Sequence, residues 1–396
     1  MRLATIARYL IGDRASILAL GADRSTPLVG AVLVLSAGLA RSYHTADLLD
    51  QPWRLLTPFA VSSALAVLLL LTTLVGPRQS PVDKSQYEAS SLPRRLLSFL
   101  GLFWMTAPLA WLYAVPYERF SDPLSATQAK VWTLALVAGW RVVLMTRILS
   151  VVTGRSAVAT FFQVMLLADS MVLIGLRVAK LPLIQFMAEI QPTHAEAYLA
   201  AIVFQTKLAA VLSFPVWLIG ALAACFRPRC WNIAAPGPQS GARMVWLVAA
   251  GAVAAGLLAL PWTQPEQRLA TQAESLLRGG RIEQALAMMS THGRSEFPPQ
   301  WEPPPRVGYG EQRPSLLDVL EAMTQPPTAG WVRQAYWSSF ERVYLAGGGY
   351  AIGPQEWERA SRLLDASPEG KALHEKYDER IRWNDQYNQR SIGSRR

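Results

Sequence analysis

Three ionisable residues interrupt long apolar runs in the first two thirds of the chain. Asp169 lies in FFQVMLLADSMVLIGL, Arg141 in VWTLALVAGWRVVLM and Lys207 in AIVFQTKLAAVLSF. An ionisable side chain in hydrocarbon is costly and usually marks a function or a structural ion pair. Long Arg and Lys side chains can extend to a membrane interface, whereas the short side chain of Asp169 cannot. Asp169 is therefore the strongest candidate for a role inside the membrane.

The chain order predicts that Asp169 is ionised and paired with Arg141. Two antiparallel helices that meet near residue 153 place Arg141 12 residues before that turn and Asp169 16 residues after it. At 1.5 Å per residue these depths are about 18 and 24 Å, and a guanidinium can offer two parallel donors to a carboxylate. Arg177, two turns beyond Asp169, and Lys207 are the alternative partners.

Other residue types that carry chemistry lack the spacing that chemistry needs. None of the four His residues has a second His or a Cys at metal-ligand spacing, and His44 with Asp47 and Asp50 is typical of a solvated loop. Cys225 and Cys230 in CFRPRC are interpreted as two interfacial thiols. The sequence contains no phosphate loop, dinucleotide fingerprint or nucleophile elbow. We therefore expect no catalytic residue, no metal and no cofactor, and an enzyme is the less favoured class.

The elements that must position these residues are membrane helices. The chain has 396 residues, of which 51% are hydrophobic and only 17% charged, below the quarter that soluble domains carry. A spanning helix needs about 20 apolar residues. Seven predicted spans follow, at 27–40, 55–76, 96–115, 129–147, 157–181, 200–226 and 243–262. The first is short, and a cleaved signal peptide is its alternative interpretation.

The basic residues between the spans predict the topology. The whole net charge of +10 lies in residues 1–262, and Lys and Arg are concentrated in the N-terminal segment and in every second loop. The positive-inside rule then places the N-terminus in the cytoplasm and the chain after Trp262 outside it. Because the positive excess lies between hydrophobic segments, we expect a lipid bilayer and no nucleic acid as the partner of these charges.

Residues 263–396 predict a small soluble helical domain outside the cytoplasm. Apolar residues recur at helical spacing, and AESLLRGGRIEQAL is similar to one unit of a tetratricopeptide-type repeat, although no second copy follows. The Pro-rich connector 297–306, FPPQWEPPPR, is interpreted as a stiff spacer, with a ligand for an aromatic groove as the alternative. Five Trp residues predict a core or an exposed binding surface.

Three segments resemble an uncharacterised family of bacterial multi-pass membrane proteins. They are RYLIGDRASILALGADRS, LLSFLGLFWMTAPLAWLYAVPYERF and FPPQWEPPPR. This resemblance implies a bacterial inner membrane and supplies no activity or site residues.

The expected architecture is all-α, with a polytopic membrane domain at 1–262 and a helical domain at 263–396. We expect a membrane-anchored interaction or scaffold protein whose outer domain meets an envelope protein. The alternative is a small-solute transporter or permease that uses Asp169 with a basic partner. Whether Asp169 lines a hydrated cavity or is sealed between helices would discriminate between these two functions.

Overall fold

The computed structural model describes residues 2–43, 47–75, 77, 91–178, 193–228, 230–233, 243–305, 314–323, 328–346 and 354–393. Within these ranges every regular element is a helix, which confirms the all-α prediction. The chain forms two compact units, Met1–Ala179 with Leu199–Gln264 and Lys180–Tyr198 with Pro265–Arg396. We call the first the membrane unit and the second the helical unit.

Nine helices contribute described residues to the membrane unit, and the last two of them also extend into the helical unit. They are α1 (Leu3–Leu10), α2 (Arg14–Ala22), α3 (Thr26–Ser42), α4 (Leu56–Leu74), α5 (Leu92–Trp104), α6 (Pro123–Thr153), α7 (Ala157–Val178), α8 (His194–Cys225) and α9 (Arg243–Arg278). Short 3-10 helices occupy Pro52–Leu55, Ala107–Ala114 and Tyr117–Arg119.

Six helical segments of the described chain are long and apolar enough to cross a membrane, which confirms a multi-pass membrane protein. They are Pro52–Leu74, Leu92–Arg119, Pro123–Thr153, Ala157–Gly175, His194–Cys225 and Trp246–Arg278. A seventh span results if α2 and α3, which meet at an angle of 104°, count as one broken span. The first predicted span, 27–40, lies in α3, whose 17 residues extend over about 25 Å.

Side chains next to the helix ends explain where several of these helices begin and end. Asp13 accepts a hydrogen bond from the Ser16 amide at the start of α2, and Asp122 accepts one from the Ser125 amide at the start of α6. Both satisfy amides that have no partner inside the helix. Gly154 ends α6 with a left-handed φ of 67°, a conformation that glycine adopts without strain.

Two glycines allow α3 and α5 to pack closely where they cross in the membrane unit. A Cβ atom added at Gly101 would lie 2.9 Å from the Pro27 nitrogen, and one added at Gly30 would lie 2.8 Å from the Trp104 Cβ. Such distances exclude any larger residue without a shift of the backbone. The two glycines therefore allow the helix axes to approach, as small residues do in membrane helix pairs.

The helical unit continues from the end of α9 through six further helices and has its own hydrophobic core. The helices are α10 (Ile282–Ser290), α11 (Leu316–Ala322), α12 (Gly330–Phe340), α13 (Pro354–Ala366), α14 (Pro368–Lys376) and α15 (Asp378–Gly393). Trp301, Trp337 and Trp357 are buried in this core, Trp331 packs against it, and Trp383 is exposed. Most of the Trp residues in this unit therefore serve packing.

The described part of the Pro-rich connector is folded into the helical unit and does not act as a spacer. Phe297 and Trp301 are buried, and their rings stack with centroids 4.7 Å apart. The guanidinium of Arg294 donates to the carbonyls of Pro298, Pro299 and Trp301 at 3.0, 2.7 and 3.0 Å. Proline composition predicts an extended chain. It does not show that the guanidinium of one arginine can hydrogen-bond to all three carbonyl groups.

Candidate functional site

Asp169 lies on α7 at the contact with α8 and is sealed from solvent. Its residue is 7% exposed, and the Ser213 hydroxyl donates to Oδ2 at 2.5 Å. Ser213 lies on α8, two residues before Pro215. Among the described residues, Asp169 forms no ion pair. The carboxyl group therefore joins two helices through a serine.

The predicted pair of Asp169 with Arg141 is not formed in the structure. The guanidinium of Arg141 lies over the ring of Phe103 on α5, 5.5 Å from its centroid, whereas Asp169 contacts α8. The rise per residue predicts only how far each residue lies along its helix. It does not predict the direction of the side chain, and α6 and α7 direct these two residues to different neighbours.

Of the other two candidate basic residues, Lys207 does not pair with Asp169 in the described structure. Lys207 is exposed on α8. This helix has 32 residues and is about 48 Å long, more than the hydrocarbon thickness of about 30 Å. The twenty residues from Lys207 to Phe226 are enough to cross the hydrocarbon layer. The ammonium group of Lys207 therefore fits a position at the membrane interface. The side chain of Arg177 lies outside the part of the chain that the structure describes.

Arg141 lies beside a break in a membrane helix. In a continuous helix the Thr106 amide would donate to the Leu102 carbonyl, but here it donates to Phe103 at 3.2 Å, and α5 ends at Trp104. The Tyr9 hydroxyl donates to the Leu102 carbonyl instead, at 2.5 Å. Discontinuous helices often carry binding sites in membrane transporters. The Phe103 ring next to the break lies under the Arg141 guanidinium.

A buried arginine in a loop between two predicted spans connects two helix ends. Arg155 follows the end of α6, is 4% exposed, and donates from Nη2 to the Val75 carbonyl at 2.9 Å and the Arg227 carbonyl at 3.4 Å. Val75 ends α4, and Arg227 lies just after α8. Helix C-termini carry partial negative charge. Two of them therefore meet at one guanidinium, which favours a structural role.

A short segment after α8 completes the same cluster. The amides of Cys230 and Asn232 donate to the carbonyls of Thr153 and Val152 at 3.1 and 2.9 Å, and the Asn232 side chain donates to Val151 at 2.8 Å. These bonds satisfy carbonyls at the end of α6 that have no partner inside the helix. The only sequence signal for this arrangement is the Gly-Arg pair at the end of a long apolar helix.

Polar residues next to Arg155 leave four buried atoms without a hydrogen-bond partner. The Gln163 amide donates to the Thr72 carbonyl at 3.3 Å, and the Thr160 hydroxyl contacts the Thr146 carbonyl at 3.2 Å. Within the described chain, Gln163 Oε1, Thr146 Oγ1 and Arg155 Nε and Nη1 are buried and unpaired. Buried groups of this kind commonly bind internal water. The cluster therefore places unpaired polar groups between α4, α6 and α7.

Ion pairs in the helical unit connect helices at its surface. Arg359 on α13 donates to Asp318 at 2.7 Å and to Glu321 at 2.8 Å, and these bonds raise the pKa of its guanidinium. The Arg333 guanidinium lowers the pKa of Glu369 by a 2.7 Å hydrogen bond. No group of three metal-ligating side chains occurs in the described ranges. These pairs are arranged as cross-links between helices.

One open groove of about 600 Å³ lies on the helical unit at the junction of α14 and α15. It is lined by charged and aromatic residues: Glu375, Lys376, Tyr377, Asp378, Glu379, Arg380 and Trp383. Trp383 is 38% exposed and is the most exposed large apolar side chain among the described residues of this unit. An exposed Trp among mixed charges is typical of protein-binding surfaces.

Comparisons with protein-family models, curated proteins and solved structures give no match to this chain.

Proposed function

We propose that the chain is a membrane-anchored interaction protein, in which the membrane unit holds the helical unit at the membrane for a protein partner. The observation that carries this proposal is the helical unit itself. It has its own aromatic core, and its surface ion pairs act as cross-links. The exposed Trp383 groove offers a contact surface. A bacterial inner membrane, a cytoplasmic N-terminus and an envelope partner are parts of the same proposal.

Transport through an Asp169 pathway receives less support from the geometry. A transport site needs polar groups that face a path for the solute. Asp169 is sealed against Ser213 instead, and no basic residue pairs with it in the described chain. A carboxyl group in this position strengthens the contact between α7 and α8, which suits an anchoring function.

Site-specific photocrosslinking in cells tests the interaction function. A crosslinking amino acid replaces Trp383 in the full-length chain, and a matched variant carries it at Arg362, an exposed position on α13. We expect a discrete protein adduct from position 383 and none from position 362, with mass spectrometry to identify the partner. Equal, diffuse labelling from both positions, or none from either, would contradict the proposal.

A further inference from the structure

The turn between α1 and α2 lies beside an exposed apolar stripe of α6. This helix is long and apolar enough to cross a membrane, and its residues Leu136, Trp140 and Val143 are exposed. The Trp140 indole donates to the Leu10 carbonyl at 3.0 Å. Ile11, the next residue of the turn, is 74% exposed. Ile11 therefore continues the apolar surface that α6 presents to lipid.

Arg147 marks the level of the lipid headgroups at the same turn. It lies one helical turn beyond Val143, is exposed, and donates from Nε to the Gly12 carbonyl at 3.2 Å. Among the described residues the two terminal nitrogens of its guanidinium have no partner. An arginine at the end of a lipid-facing stripe places its charge among the headgroups. The boundary of the hydrocarbon layer then falls between Val143 and Arg147, at the level of the α1–α2 turn.

Helix α1 has the residue pattern of a helix that lies in the membrane interface. Leu3, Ala7 and Ile11 recur at every fourth position, and all three are exposed. Arg8 borders this stripe and is exposed, whereas Tyr9, on the opposite side of the helix, is fully buried. An apolar stripe bordered by arginine is typical of amphipathic helices that lie on a membrane. The outer side of α1 therefore suits a surface that is both apolar and negatively charged.

The charge around the α1–α2 turn has a positive excess. Arg8, Arg14 and Arg147 are exposed and form no ion pair with any residue that the structure describes. The acid of the turn is Asp13, which accepts from the amide and hydroxyl of Ser16 at 2.8 and 2.7 Å. Three positive charges against one negative charge favour an anionic partner. Zwitterionic headgroups carry no net charge, whereas anionic phospholipids do.

We propose that α1 lies in the plane of the membrane interface and, together with Arg147, binds the headgroups of anionic phospholipids. The apolar stripe enters the outer part of the hydrocarbon layer, and the guanidinium groups of Arg8 and Arg147 donate to phosphate oxygens. Continuity with the lipid-facing stripe of α6 favours lipid over a second protein as the cover of α1. This inference does not rest on the proposed interaction function, because it concerns the membrane unit alone.

A spin label at Ile11→Cys tests the position of the stripe in the full-length chain, reconstituted in vesicles with both native cysteines replaced by serine. The label should be accessible to oxygen and shielded from a water-soluble nickel reagent, as a label at Val143→Cys should be. A label at Arg362→Cys, an exposed position on α13, should be accessible to nickel. If the Ile11 label behaves like the Arg362 label, α1 lies in water. If it is shielded from both reagents, protein covers the stripe. Either result would overturn the proposal.

Thermal unfolding of the full-length chain in mixed micelles tests the preference for negative charge. The probes are phosphatidylglycerol as the anionic lipid, phosphatidylcholine as the zwitterionic lipid and inorganic phosphate as the anion without a lipid. We expect a saturable rise of Tm with phosphatidylglycerol alone. No rise, an equal rise with phosphatidylcholine, or a rise with inorganic phosphate would each contradict the binding of an anionic lipid.

Variants then assign the rise to the two arginines. Arg8→Gln and Arg147→Gln should each raise the phosphatidylglycerol concentration at half-maximal effect about fivefold, as expected for one basic residue near an anionic surface. Arg54→Gln is the matched control, since Arg54 is an exposed arginine of the membrane unit that bonds to Gln51, and it should keep the full response. Because Arg8 is exposed, Arg8→Gln still decides if Arg147→Gln does not fold. An unchanged response in either folded variant, or an equal loss in Arg54→Gln, would overturn the assignment.

Discussion

The Tyr9 hydroxyl donates a 2.5 Å hydrogen bond to the Leu102 carbonyl, 93 positions further along the chain. This contact ties α1 to the end of α5, at the carbonyl that the break in α5 leaves without an amide partner. Both the tyrosine and the leucine are fully buried. The N-terminal helix therefore has a structural function at the centre of the membrane unit.

Tyr9→Phe should lower the free energy of unfolding of the membrane unit by about 1–3 kcal/mol, because it leaves the buried Leu102 carbonyl unpaired. Tyr117→Phe is the matched control, since the Tyr117 hydroxyl contacts Thr133 in a partly exposed position where water can replace it. Unfolding of the full-length chain in mixed micelles measures both. If both variants lower the free energy of unfolding equally, the buried hydrogen bond to Leu102 contributes no more stability than the partly exposed one at Tyr117.

Ser213→Ala should destabilise the chain by about 1–3 kcal/mol, because it leaves the buried Asp169 carboxyl without its partner. Asp169→Asn should cost about 1 kcal/mol or less, since an amide oxygen still accepts from Ser213. Ser170→Ala is the control, because Ser170 bonds only within α7, to Leu166. A double-mutant cycle between Asp169 and Ser213 gives their coupling. A coupling energy of zero would contradict a stabilising hydrogen bond between Ser213 and Asp169.

Arg155→Ala should destabilise the membrane unit by about 2–4 kcal/mol, since it leaves the carbonyls of Val75 and Arg227, at the ends of two helices, without a donor. Arg155→Lys should recover part of this loss. Arg147→Ala serves as comparison and should cost less than about 1 kcal/mol, because its single bond to Gly12 is exposed. Hydrogen exchange at the ends of α4 and α6 would locate the effect. A loss of hydrogen-exchange protection spread evenly over the chain would contradict a local connection of helix ends at Arg155.

The Arg333–Glu369 pair should make the helical unit sensitive to acid. Because Arg333 lowers the pKa of Glu369 in the folded chain, the pair stabilises the fold above the unfolded pKa of Glu, about 4.3. This stabilisation is lost as pH falls through the lower, folded value. Thermal unfolding of the wild type and Glu369→Gln between pH 3 and 7 checks it. The difference in Tm should shrink toward pH 3, and a difference that grows would contradict the shift.

Reporter fusions at the C-terminus of the full-length chain test the topology. If α2 and α3 form one crossing, seven spans place the two ends on opposite sides of the membrane. Alkaline phosphatase fused after Arg396 should then be active, and a fluorophore that folds only in the cytoplasm should be dark. The reverse result would mean six crossings, with α2 and α3 as a re-entrant pair and both ends in the cytoplasm.

Hydrophobic periodicity and length predict the helical class and the number of spans, because a bilayer demands long apolar helices. Local signals at Asp122-Pro123 and Gly154 mark the ends of α6, which begins before and ends after the predicted span 129–147. These features depend on residues that are neighbours in the sequence. They are accessible without knowledge of how the helices pack.

The side-chain partners of Asp169 and Arg141 depend on helix rotation, which the sequence pattern does not specify. Both residues lie at similar distances from the α6–α7 turn, yet one contacts Ser213 and the other lies over Phe103. The function of Arg155 was missed for a similar reason. Its hydrogen bonds go to the backbone carbonyls of Val75 and Arg227. Because every residue type carries a backbone carbonyl, the sequence does not indicate these partners.

The close approach of α3 and α5 also limits how the membrane unit can move. Since Gly30 and Gly101 leave no room between the two helices, neither can slide or rotate against the other without steric overlap. Any motion of this region would carry both as one rigid body, including the bend before α3 and the break after α5. The same limit holds where α8 meets α7, since a Cβ atom added at Gly220 would overlap the Phe162 ring.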